Sequence, residues 1–378
     1  MLAAFTFNTA ENLPVGLLEL ISASLGVSLP RVGLLVTGYG ATVAVASVPL
    51  AHVVRGVPRR HVLTGLLAAL VVSSLAAALS TSYWLLLAAR LLTALAQALF
   101  WAVMGPVAVG LFAPGVRGRV VGALSVAGSL ALVLGLPAGT WLGRRTDWQV
   151  PVAVPAALGL VSLVTIAVLL PTSRPEEEPA AHGTGPDPRR FATVLVAGAL
   201  SATGAFTGYT YIVTFLGDVS RFSPGTISAL LVAFGGACLA GVAITGAVLD
   251  RCPRSALIAA VTVQAVGMLG LYAAGGDPVA AVVFLTLMGG ALGPVFMTTQ
   301  NAMLLCAPGR TDMALAANSG VYNAGIAAGA ALGGLVLRSA GVRSTFLAGG
   351  LLAVAACAVL LGGQSRRRGA RADGQEPG

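Results

Sequence analysis

Charged residues in this chain fall almost entirely between long apolar stretches rather than inside them. A membrane-crossing helix needs about 20 apolar residues. About twelve stretches qualify: 1–22, 33–54, 62–80, 83–112, 120–142, 150–171, 191–216, 226–249, 256–274, 278–305, 314–337 and 344–363. They nearly exhaust the sequence and leave no room for a sizeable soluble domain. Only 9% of the residues are charged, against roughly 25% in soluble domains. The expectation is an all-α membrane protein with twelve transmembrane helices.

Three ionisable residues lie well inside apolar stretches: Glu11, Glu19 and Arg90. A charge near the bilayer centre costs at least ~2.5–3.5 kcal/mol, so one that persists points to function. The remaining charge reads as a topology signal. The chain has no lysine, and its net charge of +9 comes from arginine. With the N-terminus inside, 15 arginines fall in cytoplasmic segments and 6 in outer loops. That asymmetry places both termini in the cytosol of a cell-membrane protein and excludes a nucleic-acid footprint. Cys238, Cys252, Cys306 and Cys357 lack metal-ligand spacing, so no metal or cofactor is expected. His52, His61 and His182 sit at span ends or in loops and offer no intramembrane relay. Glu11 interrupts the first apolar stretch, which lacks a basic leader, so it reads as an uncleaved helix.

The polar stretch Thr172–Arg190 divides the spans six and six. It carries Glu176, Glu177 and Glu178 and several prolines, and reads as a solvated linker. The expected units are a six-helix bundle over 1–171, a linker over 172–190, a second bundle over 191–363, and a disordered tail over 364–378. An offset of 194 relates the halves: Ala113-Pro114-Gly115 answers Ala307-Pro308-Gly309, and Ala131, Gly135 and Gly139 answer Gly325, Gly329 and Gly333. Within one residue of that offset, Pro58-Arg59 answers Pro253-Arg254. Parallel repeats of this kind place a substrate site at their interface near the bilayer midplane.

After span 8 the chain reads Gly246-Ala-Val-Leu-Asp250-Arg251-Cys-Pro253-Arg254. This resembles the signature G-x-x-x-D-R-x-G-R-[RK] of the major facilitator superfamily. There, an Asp at a helix end beside arginines bridges helix ends as a gate. In the first-half copy only Arg59 and Arg60 match, with Ala51 and Arg55 where Gly and Asp are expected. Further segments are similar to the twelve-helix drug:proton antiporters related to sugar-efflux and chloramphenicol-resistance permeases. They are Thr9-Ala10-Glu11-Asn12 in span 1, Arg90 in span 4, Gly135-Leu-Pro137-Ala-Gly139 in span 5, Tyr209-Thr210-Tyr211-Ile212 in span 7 and Asn323-Ala-Gly325 in span 11. The resemblance covers essentially the whole chain and implies two six-helix repeats working by alternating access.

Glu11 lies roughly 15 Å deep and Arg90 roughly 10 Å deep from opposite faces, at ~1.5 Å per residue, which puts them within mutual reach. Burial and a nearby guanidinium act on a carboxyl in opposite senses. A changing separation would therefore bind and release a proton. Glu11 is expected to carry the coupling proton and Arg90 to modulate it; a fixed ion pair and no pairing are the alternatives. Glu19 lies near the outer interface, where solvation suffices. Asn12, Tyr39, Gln97, Trp101, Tyr209, Tyr211, Gln300, Asn301 and Asn323 are polar or aromatic residues inside spans and are the cavity candidates. The small-residue faces of spans 5 and 11 suit close helix packing, and Pro137 a kink.

Without lysine there is neither a Walker A phosphate site nor a Schiff base, and no catalytic motif appears in any span, so an enzyme is not expected. The expected function is proton-coupled export of a small neutral or amphipathic, drug-like compound. A sugar or nucleoside exporter and a non-transporting receptor or scaffold are the alternatives. Expected partners are the bilayer, a small-molecule substrate and protons, with the protein a monomer.

Overall fold

The computed structural model describes residues 1–54, 57–110, 126–170, 185–249, 251–308 and 311–372, and these contain helices and no strand. The first six helices are α1 (Leu2–Leu25), α2 (Leu29–Val53), α3 (Arg59–Ala78), α4 (Tyr83–Gly110), α5 (Val126–Arg145) and α6 (Gln149–Leu169). The next is α7 (Pro188–Tyr209), which resumes after a break as Ile212–Asp218. The last five are α8 (Pro224–Leu249), α9 (Pro253–Ala274), α10 (Pro278–Cys306), α11 (Thr311–Ala340) and α12 (Val342–Ala372). They match the apolar spans one for one.

Local chemistry sets many of the ends. Pro188, Pro224, Pro253 and Pro278 open four helices of the second half, each with the fixed φ that a first turn needs. Asp187 and Asp277 cap two of them, accepting from the main-chain N–H of Arg190 and Ala280. Gly26 closes α1 in the left-handed conformation, with φ 62°. Two boundaries differ from the sequence reading. The Asp187 cap starts α7 inside the stretch read as linker, and the main-chain N–H groups of Gly185 and Asp187 tie that stretch to the Leu305 and Cys306 carbonyls of α10. Helix α12 continues to Ala372, past the point where a disordered tail was expected. No proline interrupts it, and arginines near a helix C-terminus are favoured by the macrodipole.

Among the described residues, eleven helices are long and apolar enough to cross a membrane. Helix α1 falls short because Thr6, Asn8, Thr9, Glu11 and Asn12 dilute it. Its neighbours shield it instead: Thr6, Phe7 and Leu17 are fully buried.

Packing repeats with a period of six helices. Helix α1 packs on α5 as α7 packs on α11; α3 packs on α6 as α9 packs on α12. The largest cross-half contacts are α2 on α11 and α8 on α5, which exchange under the same repeat. Glycines make the close approaches. Gly135 faces Thr9 and Gly139 faces Leu13, while Gly325, Gly329 and Gly333 face α7 main chain at Ala199, Thr203 and Thr207. The kink expected at Pro137 is realised as a π-helical turn, Ala131–Gly135, immediately before it. That turn meets Gly235 of α8, where an added Cβ would lie 2.5 Å from the Leu132 oxygen. Gly329→Leu is expected to cost about 1–3 kcal/mol, because its side chain would have to displace the Thr203 carbonyl. Thermal unfolding in detergent measures this, and an unchanged midpoint would contradict the packing.

The apolar cores are arranged unequally. At the end away from the termini, one continuous core joins both halves, from Leu17, Ile21 and Leu35 to Tyr211, Phe234 and Phe346. At the end bearing the termini, the halves keep separate cores. One is built on Phe7, Leu67 and Phe100, the other on Val194, Val261 and Met303. The apolar cores are thus joined at one end and parted at the other.

Candidate functional site

The site begins with a backbone defect. Pro14 lies inside α1 and has no N–H, so the carbonyl of Ala10, four residues earlier, loses its helical donor. In hydrocarbon such a group must find another partner. Arg90 of α4 supplies it: Nη1 donates to the Ala10 carbonyl and Nη2 to the Glu11 carbonyl at 3.0 Å. The guanidinium also stacks 4.4 Å from the Tyr39 ring centroid, and Arg90 is 6% exposed. The fixed Glu11–Arg90 ion pair weighed from sequence is not formed. Arg90 holds the main chain of α1 and leaves the Glu11 carboxylate to other partners.

Those partners come from α2 and α4. Gln97 Nε2 donates to Glu11 Oε2 at 2.6 Å, and Tyr39 Oη donates to Gln97 Oε1 at 2.5 Å. Tyr39 and Gln97 are buried, whereas Glu11 is half-buried. One carboxyl, one amide, one phenol and one guanidinium thus form a compact polar cluster at bilayer depth. On the next residue, Asn12 Oδ1 accepts from Tyr209 Oη of α7 at 3.2 Å. This bond ties the two halves together beside the carboxyl.

The expected cavity residues separate into three groups. Tyr39 and Gln97 belong to the Glu11 cluster. Asn12, Trp101, Gln300, Asn301 and Asn323 are partly exposed, Trp101 at 37%. Tyr209 is fully buried, stacked on Phe234 at 5.5 Å, with only its hydroxyl engaged by Asn12. Tyr211 lies in the core that joins both halves. Glu19, expected to be solvated, pairs with Arg144 at 3.4 Å. Arg60 donates to the Ala167 carbonyl of α6, and Arg251 and Arg254 are exposed. Asp250, the Ala113-Pro114-Gly115 loop and linker residues 172–184 lie outside the described residues.

Sequence reasoning missed an aromatic group on the second half. Tyr322 of α11 contacts Phe296 of α10 at 4.8 Å and Phe206 of α7 at 6.5 Å, and Phe206 contacts Tyr209 at 5.4 Å. Asn8 of α1 was missed as well; it sits on Gly128 of α5, near Trp101. Tyr322 is next to Asn323 and Asn8 one helical turn from Asn12, both of which were chosen.

Comparison with known proteins follows from this geometry. The family model described as Major Facilitator Superfamily matches residues 1–223 and 191–377. A protein named probable sugar efflux transporter from Helicobacter acinonychis (strain Sheeba) is 29% identical over 360 residues, covering 94% of this chain and 91% of its own. One of the same name from Mannheimia succiniciproducens is 28% identical over 352 residues, covering 93% and 89%. Among solved structures, a bacterial homolog of the human lysosomal transporter Spinster, inward-facing and unoccupied, superposes with a TM-score of 0.71 at 13% identity, covering 96% of this chain and 94% of that one. The human organic anion transporter MFSD10 gives 0.68 at 17% identity, covering 95% and 96%.

Proposed function

The chain belongs to the major facilitator superfamily of membrane transporters, and on that premise we propose that it exports a sugar in exchange for protons by alternating access. The carrying observation is the Glu11–Gln97–Tyr39 chain of hydrogen bonds beside the Asn12–Tyr209 bond between the halves. A carboxyl that shares a helical turn with an inter-half contact feels every rearrangement of that contact. Substrate that engages Asn12 alters the surroundings of Glu11, and protonation of Glu11 alters how Asn12 is presented. Proton and substrate then compete through one segment of α1.

A sugar suits the lining better than the drug-like compound favoured from sequence. Asn12, Gln300, Asn301 and Asn323 offer paired donors and acceptors for hydroxyl groups, and Trp101 and Tyr322 offer ring faces. Relatives named as sugar efflux transporters support the same choice. With the arginine-rich end taken as cytoplasmic, the parted end opens inward and the fused core seals the outer side. Monomeric function in the cell membrane completes the reading.

The test is proton flux in inside-out vesicles with an imposed pH gradient, followed by a pH-sensitive dye. Sugars are expected to collapse the gradient; phenicols and lipophilic cations are not. A response confined to those drugs would replace the sugar reading. A sugar-transporting protein that leaves the gradient intact would refute proton exchange.

A further inference from the structure

We propose that Tyr211 is the outer latch of this transporter, a side chain of the second half that locks the outer end by seating in a glycine notch shared by α2 and α11. The proposal rests on the alternating-access reading and is indifferent to the substrate.

Helix α7 breaks at Thr210 and Tyr211, where Tyr211 leaves helical geometry with φ −111° and ψ 20°. The break turns its side chain into the fused core, where it is 1% exposed. Its hydroxyl donates to the Ala330 carbonyl of α11 at 3.3 Å. The notch exists because Gly33 and Gly334 have no side chains. A Cβ on Gly33 would lie 2.0 Å from the Tyr211 oxygen and 2.9 Å from Cζ; one on Gly334 would lie 2.9 Å from that oxygen and 3.4 Å from Pro30 of α2. Gly33 belongs to the first half, and Gly334 and Tyr211 to the second. Separating the outer ends of α2 and α11 therefore requires Gly33 to lift off the tyrosine that α11 holds.

The arrangement is not a by-product of the internal repeat. At the offset of 194, Tyr211 answers to Leu17 and Gly33 answers to Ile227. Both are apolar and fully packed, and Gly334 answers to Thr140, so the other pseudo-equivalent position has neither the tyrosine nor the two glycines that seat it. The latch is built once, on the α2–α11 side.

The experiment reads accessibility rather than transport, so failure of the sugar reading leaves it interpretable. Ala330→Cys, buried beneath the latch, is labelled with a membrane-impermeant maleimide from the outer side of sealed right-side-out vesicles. Labelling is counted over the same chain without that cysteine. Gly33→Ala is expected to raise the labelling rate about tenfold, because the added carbon evicts the tyrosine oxygen. Tyr211→Phe, which keeps the ring, is expected to raise it about fivefold, because the oxygen that packs against Gly33, and the bond to Ala330 that holds it there, are both lost. In a Tyr211→Ala background, Gly33→Ala is expected to add nothing. Equal Gly33→Ala effects with and without the Tyr211 side chain, or no change in any variant that remains folded, would overturn the latch.

Discussion

Glu11→Gln is expected to abolish uphill sugar export while leaving sugar exchange across the membrane intact. Glutamine keeps the size of the side chain and can still accept from Gln97, whose Nε2 lies 2.6 Å from the native carboxylate. What it removes is the ability to bind and release a proton. The variant should insert, fold and cycle, but without a proton to carry it has no means to harvest the gradient. Radiolabelled sugar counterflow in proteoliposomes separates the two activities. Counterflow should stay near wild type, and accumulation driven by a pH gradient should vanish. Undiminished accumulation would remove Glu11 from the coupling mechanism.

Arg90→Ala should have the second largest effect, and it should appear in stability as well as transport. Removing the guanidinium strands the Ala10 carbonyl that Pro14 has already deprived of its helical donor. A buried acceptor left without a partner costs about 1–3 kcal/mol. Arg90→Lys should recover only part of that, because an ammonium is a point donor that cannot grip two carbonyls and stack on Tyr39 at once. The decisive comparison is the double variant Pro14→Ala, Arg90→Ala. Alanine at position 14 restores an N–H to α1, so Pro14→Ala should rescue stability lost through Arg90→Ala. Thermal unfolding of the four proteins forms a cycle whose interaction energy should exceed about 0.5 kcal/mol. Additive effects would mean that Arg90 and Pro14 act independently.

The pair also shows where sequence reasoning reached and where it stopped. Glu11 and Arg90 stood out because hydrocarbon tolerates few charges, and their depths alone put them close together. Of the relations weighed for them, the fixed ion pair is absent for a physical reason: opposite charges invite pairing, but the stronger demand came from a backbone carbonyl. The signal was present in Pro14, four residues after Ala10. Tyr39 and Gln97 were chosen as polar residues inside spans; that they bond to each other and to Glu11 was not legible, since a period of 3.6 cannot say which neighbour a helix meets. The helices themselves were legible from length and hydropathy, and the repeat from glycines at one offset. The start of α7 was missed because Asp187 and Pro188 were read as linker chemistry, although an acidic cap before proline is also how a helix opens. Tyr211 was placed in the cavity by composition; the break in α7 that turns it toward Gly33 leaves no local mark in the sequence.

The most direct test of the central claim is proton release on sugar binding by the purified, weakly buffered protein. If Glu11 carries the exchanged proton, adding a transported sugar should acidify the medium in proportion to the sites filled. Glu11→Gln, fixed in the neutral form that competes with substrate, should bind the sugar more weakly, measured in parallel by calorimetry, and without releasing a proton. Sugar binding with no proton release from the native protein, or equal release from Glu11→Gln, would contradict the account.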